Sequence, residues 1–197
     1  MAIVDPPPPA DPRSPRAWVD RWPDRDLPAG SAGAAVTVVL RSGTRDAEVL
    51  LIERTVREDD PASGQVALPG GRTDSSDASM RATALRELGE EVGLTADDLE
   101  GPARCVTVQR ANLFGLDVAV FTGVLGARPG PRIASPAEVA HIYWLPWTAL
   151  HDPRPIERVT RYGNRTVPAV VYQGHVLWGF TLRVLREYFG LDAPSLP

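Results

Sequence analysis

Apolar residues first gather at Val36, Val38, Val39 and Leu40, then at Val49-Leu50-Leu51-Ile52 beyond a turn at Ser42-Gly43. Runs this continuous predict strands buried on both faces, since a strand with one wet face alternates apolar and polar residues. Val66-Ala67-Leu68 forms a third short run and leads into Pro69-Gly70-Gly71. The period then changes. Met80, Ala84, Leu88 and Val92 recur every fourth residue, broadened by Leu85, which is the stripe of a helix laid against a sheet. Ser76 or Asp77 is placed to cap its start, and Gly93 to end it.

Further strands are predicted at 105–108, 118–124 and 139–144, each rich in β-branched or aromatic residues. Residues 167–172 and 175–178 pair as a hairpin around Gln173-Gly174, and a last helix runs over 180–189 to a stop at Gly190. The pattern is that of a mixed β-sheet sandwiched between helices, an α/β (α+β) fold with no internal repeat. Ahead of it lie Pro6-Pro7-Pro8-Pro9, Pro12 and Pro15, which predict extended or disordered chain rather than helix. Residues 17–22 suggest a short helix whose Trp18 and Trp22 cover the domain surface or a second subunit. The expected organisation is a Pro-rich extension over 1–28, partly disordered, one domain over 29–192 and a tail over 193–197.

Composition narrows the function classes. A length of 197 residues suits one domain, and a net charge of −4 argues against nucleic acid as the main partner. Cys105 is the only cysteine, which excludes an intrachain disulfide and zinc–thiolate sites. There is no run of 18 apolar residues to span a membrane, and the N-terminus lacks the basic-then-apolar pattern of a signal peptide, so a cytoplasmic protein is expected.

The chemistry concentrates on the helix that ends at Gly93. Glu87, Glu90 and Glu91 stand at i, i+3 and i+4 and are therefore surface neighbours of like charge. Glu90 and Glu91 fall in the last turn, where the helix dipole favours cations over carboxylates. A sequence that breaks two local rules together does so for a site. A divalent cation is the simplest compensation, because hard carboxylate oxygens suit Mg²⁺ or Mn²⁺.

Arg86-Glu87-Leu88-Gly89-Glu90-Glu91-Val92-Gly93-Leu94 matches without a gap the second half of the box of the Nudix hydrolase family, which the chain resembles. In the first half, Gly71 is followed by Asp77 where the box has Glu, and eight residues rather than seven separate Asp77 from Arg86. The resemblance implies the Nudix fold with its loop–helix–loop motif and a divalent-cation-dependent cleavage of a nucleoside-diphosphate-linked substrate. It implies Glu87, Glu90 and Glu91 as metal ligands, the Gly70 carbonyl as another, and Arg86 as the group that orients a carboxylate. Glu138, six residues before Trp144, stands where the family often carries a further acid, as ligand or base. Glu87, Glu91 and Glu138 are all eligible as general base. Arg54, Arg57 and Arg72 flank the glycine turn and suit phosphate contacts through their bidentate geometry. Family habit makes a homodimer plausible. His141 reads as a satisfied structural histidine, His175 as a turn residue and Trp178 as core packing.

Within the family, Gly64-Gln65-Val66-Ala67-Leu68-Pro69-Gly70-Gly71 and Leu177-Trp178-Gly179-Phe180-Thr181-Leu182-Arg183 resemble signatures of the coenzyme A pyrophosphatase branch. That branch shares the longer spacing before Arg86-Glu87 and releases 3′,5′-ADP and phosphopantetheine. Upstream the likeness weakens: Ile52-Glu53-Arg54-Thr55 departs from the branch pattern, and Leu68 replaces Phe. ADP-ribose, NADH and nucleoside triphosphates are the alternative substrates, and a non-catalytic nucleotide-binding module is the alternative of a different class.

Overall fold

A computed structural model describes residues 6–57, 63–112, 115–127, 130–160 and 163–192. At its centre β1 (Ala34–Ser42) runs parallel to β6 (Leu116–Val124), with Ala34 opposite Val118 and Leu40 opposite Val124. β2 (Ala47–Arg54) returns antiparallel to β1, but only Leu40 to Ser42 and Ala47 to Val49 are paired. Beyond that point the two strands diverge. The wedge is filled by β3 (Val66–Ala67), paired with the end of β2, and β4 (Gly70–Arg72), paired with the start of β1. The Pro69-Gly70 turn is thereby inserted into the middle of the sheet. Gly70 is at φ +149°, and a Cβ there would stand 2.2 Å from the Ala35 carbonyl, so no other residue fits. β5 (Arg104–Ala111) pairs with β6 at one edge, and β7 (Val139–Pro146) with β2 at the other, all antiparallel.

Consecutive residues of β2 point to opposite faces, as a pleat requires. Leu50 and Ile52 meet α2 (Met80–Val92) through Met80, Ala84, Leu88 and Val92, all fully buried. Val49 and Leu51 pack on the other face with Trp18, Leu185 and Tyr188, the last two from α3 (Gly179–Tyr188). The sheet is covered on both sides, as the continuous apolar runs imply. A second sheet of three antiparallel strands follows, β8 (Arg154–Thr160), β9 (Gly163–Tyr172) and β10 (His175–Trp178). The β9–β10 hairpin turns on Gln173 at φ 49° and Gly174 at φ 84°. β8 was not legible: Pro155 breaks its strand pattern and is tolerated because β8 is an edge strand.

Three local expectations are corrected. Pro15 does not exclude a helix but opens one, α1 (Pro15–Asp20), at the position where its missing N–H is not needed. Trp18 and Trp22 are each 1% exposed and belong to the domain's own core; Trp18 packs edge-on against Phe189 and donates to the Pro12 carbonyl at 2.7 Å. The N-cap of α2 is Ser79 rather than Ser76 or Asp77, its hydroxyl accepting from the Ala82 amide at 3.2 Å. No helix among the described residues is long and apolar enough to cross a membrane.

Candidate active site

Gly93, at φ +66°, ends α2, and the amides of Gly93 and Leu94 return to the carbonyls of Gly89 and Leu88. The next carbonyls are closed by the chain before β7: Arg132 donates to Val92 and Ala134 to Glu91, each at 3.0 Å. That docking carries residues 130–138 to the acidic end of the helix. The Glu138 carbonyl there accepts from the Thr55 amide at 2.9 Å.

On the face of α2 toward β4, the Arg86 guanidinium is the hub. Its Nε and Nη2 donate to the two oxygens of Asp77 at 3.0 and 3.1 Å. Nη1 reaches Glu87 and Glu90, each at 2.9 Å, and Nη2 also donates to the Arg72 carbonyl at 2.8 Å. Asp77 accepts further bonds from the Thr83 hydroxyl and the Asp74 amide, both at 2.8 Å. The Arg86 bonds above all hold its carboxyl down at about 2. The Glu87 carboxylate occupies the space that a side chain at Gly71 would need, since a Cβ there would lie 2.5 Å from it.

Glu91 differs from its neighbours. It is 1% exposed, accepts from the Gly70 amide at 2.8 Å, and lies 3.9 Å from the Arg54 guanidinium. Burial is the main cause that pushes its carboxyl up to about 8; the charges of Glu87 and Glu138 add to the rise, against the Gly70 bond and Arg54. Glu87 is raised too, first by burial, with Glu90 and Glu138 contributing against Arg86. A buried carboxylate beside other carboxylates, under a glycine turn, is an arrangement that a bound cation relieves.

Residues 31–163 match the NUDIX domain family. The chain belongs to the Nudix hydrolase family. Membership makes it an enzyme of the pyrophosphohydrolase class, and Gly71 to Leu94 is its Nudix box. It is 36% identical over 145 residues to the Nudix hydrolase NudL of Citrobacter koseri, covering 71% of this chain and 72% of that one. To NudL of Salmonella paratyphi B it is 34% identical over 128 residues, 64% of this chain and 65% of the relative. The chain thus spans somewhat under two thirds of the Salmonella protein. Among solved structures, a NUDIX hydrolase of Alicyclobacillus acidocaldarius matches 84% of this chain and 92% of its own, at 21% identity and a TM-score of 0.53. A MutT/nudix family protein of Enterococcus faecalis gives the same TM-score at 18% identity, over 85% of this chain and 63% of its own. Both likenesses show the fold.

Within the Nudix box the expected residues are gathered, but among the described residues no three acids, histidines or cysteines form a ready cage for a metal ion. The cause is visible: Arg86 holds Glu87 and Glu90, and the Gly70 amide holds Glu91. The donor chemistry still fits a hard divalent cation, with three carboxylates on one helical face and the innermost raised by burial. Arg54 reaches the site through Glu91. Arg72 contributes its carbonyl while its side chain is exposed, and Arg57 is an exposed residue whose amide donates to Ser63 at 2.6 Å.

Sequence reading missed other polar contacts. His175 is not merely a turn residue, since its Nδ1 lies 2.8 Å from Glu53 Oε2 and its ring stacks on Tyr143 at 4.2 Å. These partners are far apart in sequence, so no local spacing announces them. His141 is exposed on β7 rather than satisfied in the core, and Trp178 is half-buried with Arg158 5.3 Å above its ring.

Proposed function

We infer that this Nudix hydrolase cleaves the phosphoanhydride of a nucleoside-diphosphate-linked substrate, coenzyme A or a derivative first, with Mg²⁺ or Mn²⁺. The observation that carries the reading is Glu91, a buried carboxylate pinned beneath the glycine turn with Glu87 and Glu138 raising its affinity for positive charge. Glu87, Glu90 and Glu91 would hold the cation, with Glu138 and the Gly70 carbonyl as further donors. When bound, the cation would neutralise diphosphate charge and lower the pKa of a water, so that a carboxylate of the chain can take its proton. The chain's own groups do the rest. Arg86 keeps Glu87 and Glu90 in register with the box turn, and Asp77 keeps Arg86. Arg54, Arg57 and Arg72 are the candidates for contacts with the substrate's phosphates. Glu87, Glu91 and Glu138 are the candidates for the proton acceptor.

Coenzyme A is favoured by the Gly64–Gly71 and Leu177–Arg183 signatures and by the longer spacing before Arg86. The test is product analysis with Mg²⁺ and, in parallel, coenzyme A, ADP-ribose, NADH and nucleoside triphosphates. Release of 3′,5′-ADP from coenzyme A as the fastest reaction is expected. Faster cleavage of ADP-ribose or NADH moves the enzyme to another branch, and no turnover of any of these substrates overturns the reading.

A further inference from the structure

β2 ends on two charged residues that leave the sheet by opposite faces. Arg54 turns to the α2 side and Glu91, whereas Glu53 turns to the other and meets His175. On the Glu53 side a cleft of about 190 Å³ opens between the end of β3 and the β8–β10 sheet, with Glu53, Gly64, Val66, Arg158 and His175 in its walls.

Its polar groups are held in place before any ligand arrives. His175 is fixed at Nδ1 by Glu53 at 2.8 Å and flat against Tyr143, the planes 9° apart. Nε2 is the ring nitrogen that Glu53 leaves for another partner. Arg158 lies over Trp178, 5.3 Å from the ring centroid, and a guanidinium so held presents a planar fork suited to phosphate. The cleft is smaller than a site for a whole cofactor, and it is lined by Arg158 while the Glu53 carboxylate there is engaged by His175, so a compact anionic group meeting Arg158 suits it better than an apolar ring. Val66 lines it, and four residues later Gly70 donates to Glu91, so at most about 13 Å of chain separates the cleft from the carboxylates.

We propose that this cleft takes a phosphomonoester on the nucleotide half of the substrate, with Arg158 and His175 as specificity-determining residues. The proposal rests on the coenzyme A reading, since coenzyme A carries a ribose 3′-phosphate besides its diphosphate. Arg158 and His175 would then separate coenzyme A from 3′-dephospho-coenzyme A.

The experiment compares kcat/KM for those two substrates in the wild-type enzyme, Arg158→Ala, Arg158→Lys and His175→Ala, with Mg²⁺. The wild type prefers coenzyme A by about tenfold or more, Arg158→Ala brings the ratio to near one, and Arg158→Lys keeps part of the preference. Equal wild-type rates, or a preference that survives both alanine variants, overturns the proposal. If neither substrate is cleaved while ADP-ribose is, the coenzyme A reading itself has failed. The cleft is then judged by calorimetric titration of 3′,5′-ADP and 5′-AMP. Tighter binding of 3′,5′-ADP that disappears in Arg158→Ala supports it, and equal binding of the two overturns it.

Discussion

Arg86 grips both carboxylate oxygens of Asp77, at 3.0 and 3.1 Å, while its remaining amino group still spans Glu87 and Glu90. The shorter acid and the extra residue before Arg86 therefore work together: Asp77 comes close enough to take the guanidinium side-on. The Asp77 side chain is 6% exposed and that of Arg86 27%. Asp77→Ala is expected to cost about 2 kcal/mol, between an exposed pair and a fully buried one, by urea denaturation. Activity should fall further than stability explains, because Glu87 and Glu90 lose their common anchor. An unchanged urea midpoint would show that the pair contributes nothing.

The two glycines of the turn should respond differently. Gly70→Ala puts a methyl 2.2 Å from the Ala35 carbonyl at a φ of +149°, and backbone must move, so a loss of roughly 3 kcal/mol or more is expected. Gly71→Ala meets the end of the Glu87 side chain, which can swing away. It should lower thermal stability less and weaken Mn²⁺ binding more. Thermal melts and Mn²⁺ titration of both variants check the contrast; equal behaviour contradicts it.

Glu91 gives a pH signature without added cation. Its carboxyl rises from 4.5 to about 8 on folding, so the folded state loses stability as pH climbs between those values. Asp77 acts in the opposite sense, falling from 3.8 to about 2, so its contribution is present above 3.8 and lost on acidification. Glu91→Gln should remove the larger part of the loss between 4.5 and about 8, leaving the part that the raised Glu87 contributes and the acid limb intact, measured by denaturant midpoints across pH. A variant curve parallel to the wild type would sink this assignment.

The N-terminal segment should matter to stability as a core element does. Trp18 is 1% exposed against Phe189, and Trp18→Ala should cost about 3 to 5 kcal/mol by chemical denaturation. A loss below about 1 kcal/mol would mean that the segment only decorates the surface.

Much of this was legible in the sequence where one local rule decided it. The Met80, Ala84, Leu88, Val92 stripe, the Gly93 stop and the strand runs each follow from periodicity. The cap at Ser79 was not, because three side chains of capping type lie within four residues and Arg86 claims Asp77. Nor was the placement of Trp18 and Trp22, since Pro15 reads equally as breaker and as first helical residue. The Nudix box announced its acids by spacing alone. Their partition into two held by Arg86 and one buried under Gly70 depends on how β1 and β2 diverge, which no local pattern encodes.

The central claim is that the acidic face of α2 holds the cation that breaks the phosphoanhydride. The most direct measurement is Mg²⁺-dependent release of 3′,5′-ADP from coenzyme A by the wild type, Glu90→Gln and Glu91→Gln, alongside Mn²⁺ affinity. A fall in kcat of about a hundredfold or more with weakened Mn²⁺ binding in both variants is the predicted result. Turnover that persists in Glu91→Gln, or needs no divalent cation in the wild type, would contradict it.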